Sequence, residues 1–391
     1  MKLYIFNRVT VILLPPHRKH FNEQAYPFVQ SPAKYLTMLI NRRNFLNTSA
    51  MGAVALTLPK IPAFFKEIPM GVVVHSYGMR WNSKVESKKY PGFNDAVELM
   101  EHCHEIGAGG VQVGVNKWTG DFAKKVRSRR EKLGLYLEGS IGVPNNAQDV
   151  SRFEQEVKNA REAGIQVLRT VCSSGRRYES YHSMEAFQQL QKNALASLQL
   201  AEPILRNQKM KLAVENHKDW RAPELERMLK QLNSEWIGVT LDFGNSISLL
   251  EDPMEVIKTL VPYIFSTHVK DMAVEEYADG FLLSEVPLGT GILDLPQIIA
   301  LCKKHNPNVT FSLEMITRDP LEIPCLKKEY WETFAEVPGS DLARTLRMVR
   351  QHKNKSGLPR VSKLSPEVRL AAEEQNILAC LKYSKNTLGL K

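Results

Sequence analysis

Long apolar runs are missing from this chain. No stretch of its 391 residues reaches the roughly 18 consecutive apolar residues of a membrane span. Cysteine is scarce and scattered. The five, Cys103, Cys172, Cys302, Cys325 and Cys380, are odd in number and form no Cys-x-x-Cys pair. That argues against a disulfide framework or a zinc–thiolate site, and leaves room for one disulfide. No Gly-x-Gly-x-x-Gly follows the first apolar segment, which counts against a doubly wound dinucleotide-binding sheet. Acidic residues are few at both ends. Residues 1–65 hold 8 Lys/Arg against 1 acidic residue, and 340–391 hold 11 against 4, whereas 66–339 hold 33 against 37. The net charge of +10 thus resides in the ends. Solvated basic ends fit this distribution, and no nucleic-acid partner is expected on the mildly acidic body.

The hydrophobic content of 43% is enough for a sizeable core. The length suits one (β/α)8 barrel of roughly 250 residues with extensions. Near the start, Arg42 and Arg43 precede Asn44-Phe45-Leu46, followed by a weakly apolar stretch from Ala50 to Leu58 and by Pro59. This segment resembles a twin-arginine export signal. Met38 suits such a signal better as a start than Met1, and removal is expected within 58–68. Residues 1–65 are therefore read as leader and signal. The protein is expected to be exported to the periplasm by the twin-arginine route.

From residue 70 onward, short β-branched or apolar runs alternate with longer segments of helical period. Strands are predicted at 70–77, 110–115, 136–143, 167–172, 211–216, 237–243, 264–270 and 309–315. Helices are clearest at 94–106, 148–163, 184–206, 223–232, 253–261 and 295–304. In the first helix Ala96, Leu99, Met100 and Cys103 share an apolar face, and Gly107, Gly109 and Gly110 stop it. Eight such units predict an α/β fold, a (β/α)8 TIM barrel over 66–354. A helix near 340–353 ends the last unit. Residues 355–391 form a C-terminal helical extension, with a helix over 365–383.

Chemistry in such barrels gathers at the C-terminal ends of the strands. There LAVENH supplies Glu215, VTLDFGN supplies Asp242, STHVKD supplies His268 and FSLEM supplies Glu314. Holding those carboxylates together without compensation is costly, and one divalent cation resolves it. Oxygen-rich ligands with one imidazole suit Mn²⁺, Mg²⁺ or Co²⁺, and Zn²⁺ also fits. The competing reading is a charged rim satisfied by Lys270 and Arg318.

Several side chains are candidate substrate contacts. His75 ends the first strand, His217 follows Glu215 and Asn216, and Lys270 shares the face of His268. Arg169 and Arg318 carry guanidiniums that read carboxylate or phosphate, and pairing the local acids is their equal alternative. Asp271 reads as a loop acceptor. Gly289 and Gly291 in PLGTG shape a turn. Trp81, Trp118 and Trp220 lie in loops where they could stack on a sugar ring or simply pack.

The segments LAVENH, LDFGNS, THVKD, PLGTGILDL and FSLEM together resemble the sugar phosphate isomerase/epimerase family of xylose-isomerase-like TIM barrels, over about 70–350. The resemblance implies that Glu215, Asp242, His268 and Glu314 match that family's metal ligands. It implies that Glu215 and Glu314 match the carboxylates that shuttle protons in its epimerases. The activity so implied is divalent-metal-dependent isomerisation or epimerisation of a sugar through an enediolate. Asn245 departs from the family's epimerases, where a histidine often stands three residues after the aspartate and touches substrate. Asn245, Arg169, Arg318 and the expected export favour a less usual substrate. A lyase or decarboxylase on a keto-sugar or keto-sugar acid, using the same enediolate, is therefore the alternative. A sugar-binding barrel without catalysis is a further one, against which the intact Glu215 and Glu314 stand. An endonuclease-like phosphodiesterase needs more His and Asp ligands than these strand ends supply. The expected partner is a small sugar or sugar acid. Many relatives form dimers or tetramers, so a homo-oligomer is compatible with the resemblance.

Overall fold

The computed structural model describes residues 69–81, 85–173, 175–353 and 357–391. The expected leader and export signal lie outside them. Eight parallel strands close into a barrel. In chain order they begin with β1 (Gly71–Val73), β2 (Gly110–Gly114), β3 (Tyr136–Ser140) and β4 (Val167–Thr170). They continue with β5 (Lys211–Glu215), β6 (Ile237–Asp242) and β7 (Ile264–Val269). A hairpin of β8 (Asp271–Tyr277) and β9 (Gly280–Val286) intervenes before β10 (Ser312–Leu313) closes the barrel between β7 and β1. A further strand, β11 (Leu321–Ile323), pairs antiparallel with β9 and completes a three-stranded sheet.

All eight predicted barrel strands are present, and the register explains how their ends meet. Asp242 is paired with His268, and His268 with Ser312, two residues before Glu314. The first and last strands are shorter than their sequence pattern. β1 stops at Val73, and a 3₁₀ turn from Val74 to Tyr77 carries His75 over the mouth. Tyr136 lies across β1 and β2, its hydroxyl donating to Phe311 O and accepting from Gly71 N, both at 2.9 Å. A Cβ on Gly71 or Gly110 would fall 2.2 or 2.3 Å from Tyr136, so those positions need glycine for close approach.

The six expected helices all form, at Ala96–Glu105, Val150–Glu162, Met184–Gln208, Ala222–Leu232, Pro253–Leu260 and Leu295–His305. Asp95 caps the first, accepting from Val97 N and Glu98 N. Another helix, Gly120–Leu133, buries only Ala123 and Val126 among its charged residues. Its apolar stripe is too thin to stand out as a period, but Thr119 caps its start and Gly134 ends it at φ 69°. The three-stranded sheet is likewise absent from the sequence reading. Met272, Val274, Phe281, Leu283, Ile323, Tyr330 and Phe334 give it a core of its own.

The C-terminal helix spans Pro366–Asn386 and is built into the body. Ile377, Cys380 and Leu381 join the barrel core. Burying Ile377 or Leu381 contributes about 1.5–3 kcal/mol each. Arg80 Nη1 pairs with Glu374 Oε2 at 2.6 Å, and Met79 N donates to Glu373 Oε1 at 2.8 Å. Asn376 Nδ2 donates to Thr317 Oγ1 at 2.9 Å. The helix thereby fastens the segments that follow β1 and β10. All five cysteines are free.

Candidate metal centre

Glu215 ends β5, Asp242 ends β6, His268 lies near the end of β7, and Glu314 directly follows β10. Each is buried, and each offers a ligand atom within 4.8 Å of the others. Among the described residues this is the group of His, Cys, Asp and Glu with a geometry for holding a metal ion. His268 Nδ1 faces the carboxylates, 3.5 Å from Glu215 and Glu314 oxygens and 3.9 Å from Asp242 Oδ2. It makes no hydrogen bond. Its other ring nitrogen, Nε2, lies 2.7 Å from Gln112 Oε1. Gln112 Nε2 donates to Glu138 Oε2 at 2.9 Å, which leaves the amide oxygen turned to the imidazole. With Nε2 spent on Gln112, Nδ1 faces three carboxylates. Burial opposes the charge, but Glu314 and Glu215 push the imidazole up to about 10 without metal, and a bound cation would take the place of the Nδ1 proton.

The charges point the same way. Burial would raise Glu215, but Arg169 and His268 outweigh it and hold the carboxyl well below the usual range. Burial is likewise overcome at Glu314 by Lys270 and His268. Asp242 is the exception. Burial pushes it up, Lys270 opposes, and the charges of Glu314 and Glu215 add to the rise. The donor set therefore fits a divalent cation, which would relieve the mutual repulsion of the three carboxylates.

Both proton-shuttle candidates are oriented through both oxygens. Arg169 Nε donates to Glu215 Oε2 at 2.6 Å, and Asn245 Nδ2 donates to Glu215 Oε1 at 3.0 Å. His75 Nδ1 lies 3.0 Å from Glu314 Oε1, and Lys270 Nζ donates to Glu314 Oε2 at 2.6 Å. Lys270 also pairs with Asp242 Oδ2 at 2.8 Å. Backbone N–H groups of Gly244 and Asn245 donate to Asp242 Oδ1 at 2.9 and 2.8 Å. Asn216 locks β5 to β6 through Asp242 N and O.

The structure thus gathers His75, Arg169, Asn245 and Lys270 around the four ligand candidates. His217 lies close by, its Nδ1 buried without a hydrogen bond and its pKa pushed down to about 3 by burial. Arg318 stands apart from these carboxylates and forks onto Glu285, with Nη2 to Oε1 at 2.5 Å and Nε to Oε2 at 3.2 Å. Asp271 accepts backbone hydrogen bonds from Met272, Gly289, Gly291 and Leu293, so it pins the PLGTG turn. Trp220 does not offer a face to a sugar: it is 2% exposed and packs against Phe187. Trp118 packs edge-on against Phe122. Three contributors were missed in the sequence. Gln112 and Glu138 are polar residues inside apolar strands, a signal visible in GVQVGV and YLEGS. Lys218, buried beside Asn245, sits in a loop with no such contrast.

The comparisons agree with this fold. The family described as xylose isomerase-like TIM barrel matches residues 95–336. A protein named 3-oxo-isoapionate decarboxylase, from Pectobacterium atrosepticum, is 25% identical over 251 residues, covering 63% of this chain and 85% of that protein. A xylose isomerase-like TIM barrel protein from Mycobacterium smegmatis, solved in complex with magnesium, superposes with a TM-score of 0.51 at 16% identity, over 72% of this chain and 98% of its own. D-psicose 3-epimerase, solved in the presence of D-fructose, gives 0.55 at 14% identity, over 82% and 99%. At such identities these two structures speak for the fold alone. With the closed barrel, the Glu/Asp/His cluster at its mouth and the family match over most of the barrel, the chain belongs to the xylose isomerase-like TIM barrel family.

Proposed function

We propose that this protein is a divalent-metal-dependent sugar isomerase or epimerase that moves a proton at a carbon next to a carbonyl. The observation that carries the proposal is the orphaned His268 Nδ1 facing Glu215, Asp242 and Glu314. Those four residues would hold the ion, with Mg²⁺, Mn²⁺ or Co²⁺ as the favoured metals and Zn²⁺ also compatible. A bound cation supplies Lewis-acid polarisation of the substrate carbonyl. Glu215 and Glu314 do the proton work: one removes the carbon-bound proton, and the other returns a proton to the resulting enediolate. The depressed pKa of the accepting carboxylate keeps it ionised, and its counterpart returns a proton that it has drawn from solvent. Arg169 and Asn245 hold Glu215 in one orientation, while Lys270 and His75 hold Glu314. The side chain of His75 is 46% exposed and links Glu314 to solvent, a route for proton exchange.

A second reading, decarboxylation of a keto-sugar acid, is favoured by the relative named as a decarboxylase. It uses the same residues, with Glu314 passing a proton drawn from solvent through His75 to the enediolate left by departing carbon dioxide. We propose as well that residues 1–65 direct export through the twin-arginine route to the periplasm.

The deciding experiment follows deuterium incorporation from D₂O into keto-sugars by mass spectrometry, with and without added Mn²⁺ or Mg²⁺. Metal-dependent uptake at carbon is expected, falling by roughly 10²–10⁴-fold in Glu215→Gln and in Glu314→Gln. Uptake that persists in both variants would refute the assignment of the proton transfer to these carboxylates.

A further inference from the structure

Among the cations around the mouth, one has no carboxylate. Arg169 is bound to Glu215, Lys270 to Asp242 and Glu314, and Arg318 to Glu285. Lys218 is 4% exposed, and its ammonium donates to Asn245 Oδ1. Among the described residues it forms no ion pair. Lys270 Nζ lies 3.4 Å from that same amide oxygen, so two ammonium groups converge on one neutral acceptor. An ammonium has three N–H donors, and a buried one without an anion is costly. Burial and then Lys270 push Lys218 down to about 8, with Arg318 adding to the fall and Glu285 and Asp242 opposing it.

A bound divalent ion sharpens this imbalance. Glu215, Asp242, Glu314 and Glu285 already match Arg169, Lys218, Lys270 and Arg318 in number. Of the other buried carboxyls near the mouth, Asp219 accepts from Ser173 N and Trp220 N, Asp271 accepts from four backbone N–H groups, and neither pairs with Lys218. Glu138 spends its oxygens on Gln112, Ser266 and Thr310. The ion would add positive charge beside an ammonium that has no carboxylate of its own, which a neutral ketose does nothing to offset. An anionic substrate offsets it.

We propose that Lys218, beside Lys270 on Asn245, anchors a carboxylate of the substrate, so that the site takes a keto-sugar acid in preference to a neutral keto-sugar. The proposal deepens the proton-transfer reading of the metal centre and rests on it. Asn245 joins the anchor to the chemistry, because it accepts from Lys218 and donates to Glu215.

The test compares ligands that differ in one group. Isothermal titration calorimetry of the full chain in Mg²⁺ would use D-fructose, 2-keto-D-gluconate and D-fructuronate. The two acids carry a carboxylate in place of one or the other terminal hydroxymethyl group of D-fructose. At least one acid is expected to bind about 30-fold more tightly than D-fructose, the scale of one buried charge pair. Lys218→Met should remove that preference and be rescued in part by Lys218→Arg. Equal binding of the acids and D-fructose by the unaltered protein overturns the anchor without recourse to any variant. A Lys218→Met loss shared equally by acids and D-fructose also overturns it. Deuterium exchange on the same samples separates the two readings. Exchange into D-fructose without acid preference rejects the anchor and keeps the proton transfer. Lys218-dependent acid preference without exchange into any sugar keeps the anchor and rejects the proton transfer.

Discussion

Gln112 illustrates how much of this site rests on residues that touch no substrate. Its amide oxygen takes one nitrogen of His268, and its own orientation is set by Glu138, which Ser266 also holds at 2.6 Å. Replacing it with the similarly shaped methionine removes the acceptor and lets the imidazole turn. Gln112→Met is expected to weaken Mg²⁺ or Mn²⁺ binding by about 10- to 100-fold, read by calorimetry on the protein alone. Unchanged affinity would mean that packing, and not the amide, orients His268. At this scale the ligand candidates were legible, because each is a charged residue at the end of an apolar run. Lys218 was not. A lysine in a loop normally faces solvent, and only the surrounding structure buries this one.

Elements were legible where burial stamps a period on them. The eight strands and six of the helices announce themselves that way, and the helix Gly120–Leu133, with two buried residues, does not. The C-terminal helix was visible in the sequence, but its attachment was not. Glu373 on that helix is buried, and its carboxyl is pushed up to about 7 by burial, with Glu374 adding and Met79 N–H and Arg80 opposing. An acid raised in the folded state binds its proton more tightly there than in the unfolded chain. Stability from this group is therefore lost as pH rises from the usual carboxylate value toward 7, and the penalty stays in place above it. Glu373→Gln keeps an acceptor for Met79 N–H and removes the charge. It is expected to stabilise the protein by on the order of 2–3 kcal/mol at pH ~8, and to be nearly neutral at pH ~4.5. Thermal melts at both pH values check this, and an equal effect at the two would sink the assignment.

For the whole molecule, the basic ends and the mildly acidic middle suit a leader followed by a folded catalytic body. Changing Arg42 and Arg43 to Lys is expected to retain the protein in the cytoplasm, seen by fractionation of expressing cells. Normal export of that variant would remove the twin-arginine reading. Among the described residues no helix is long and apolar enough to cross a membrane. The sequence by itself determined the barrel class and the ligand candidates, since strand period and strand-end charge are local properties of the chain. Only the tertiary structure decided which cations the acids consume. Arg169 finds Glu215 across 46 residues of chain, and Arg318 finds Glu285 on a hairpin that no local pattern announced. Pairing between charges depends on register and barrel closure, and these bring together groups that the linear order keeps apart.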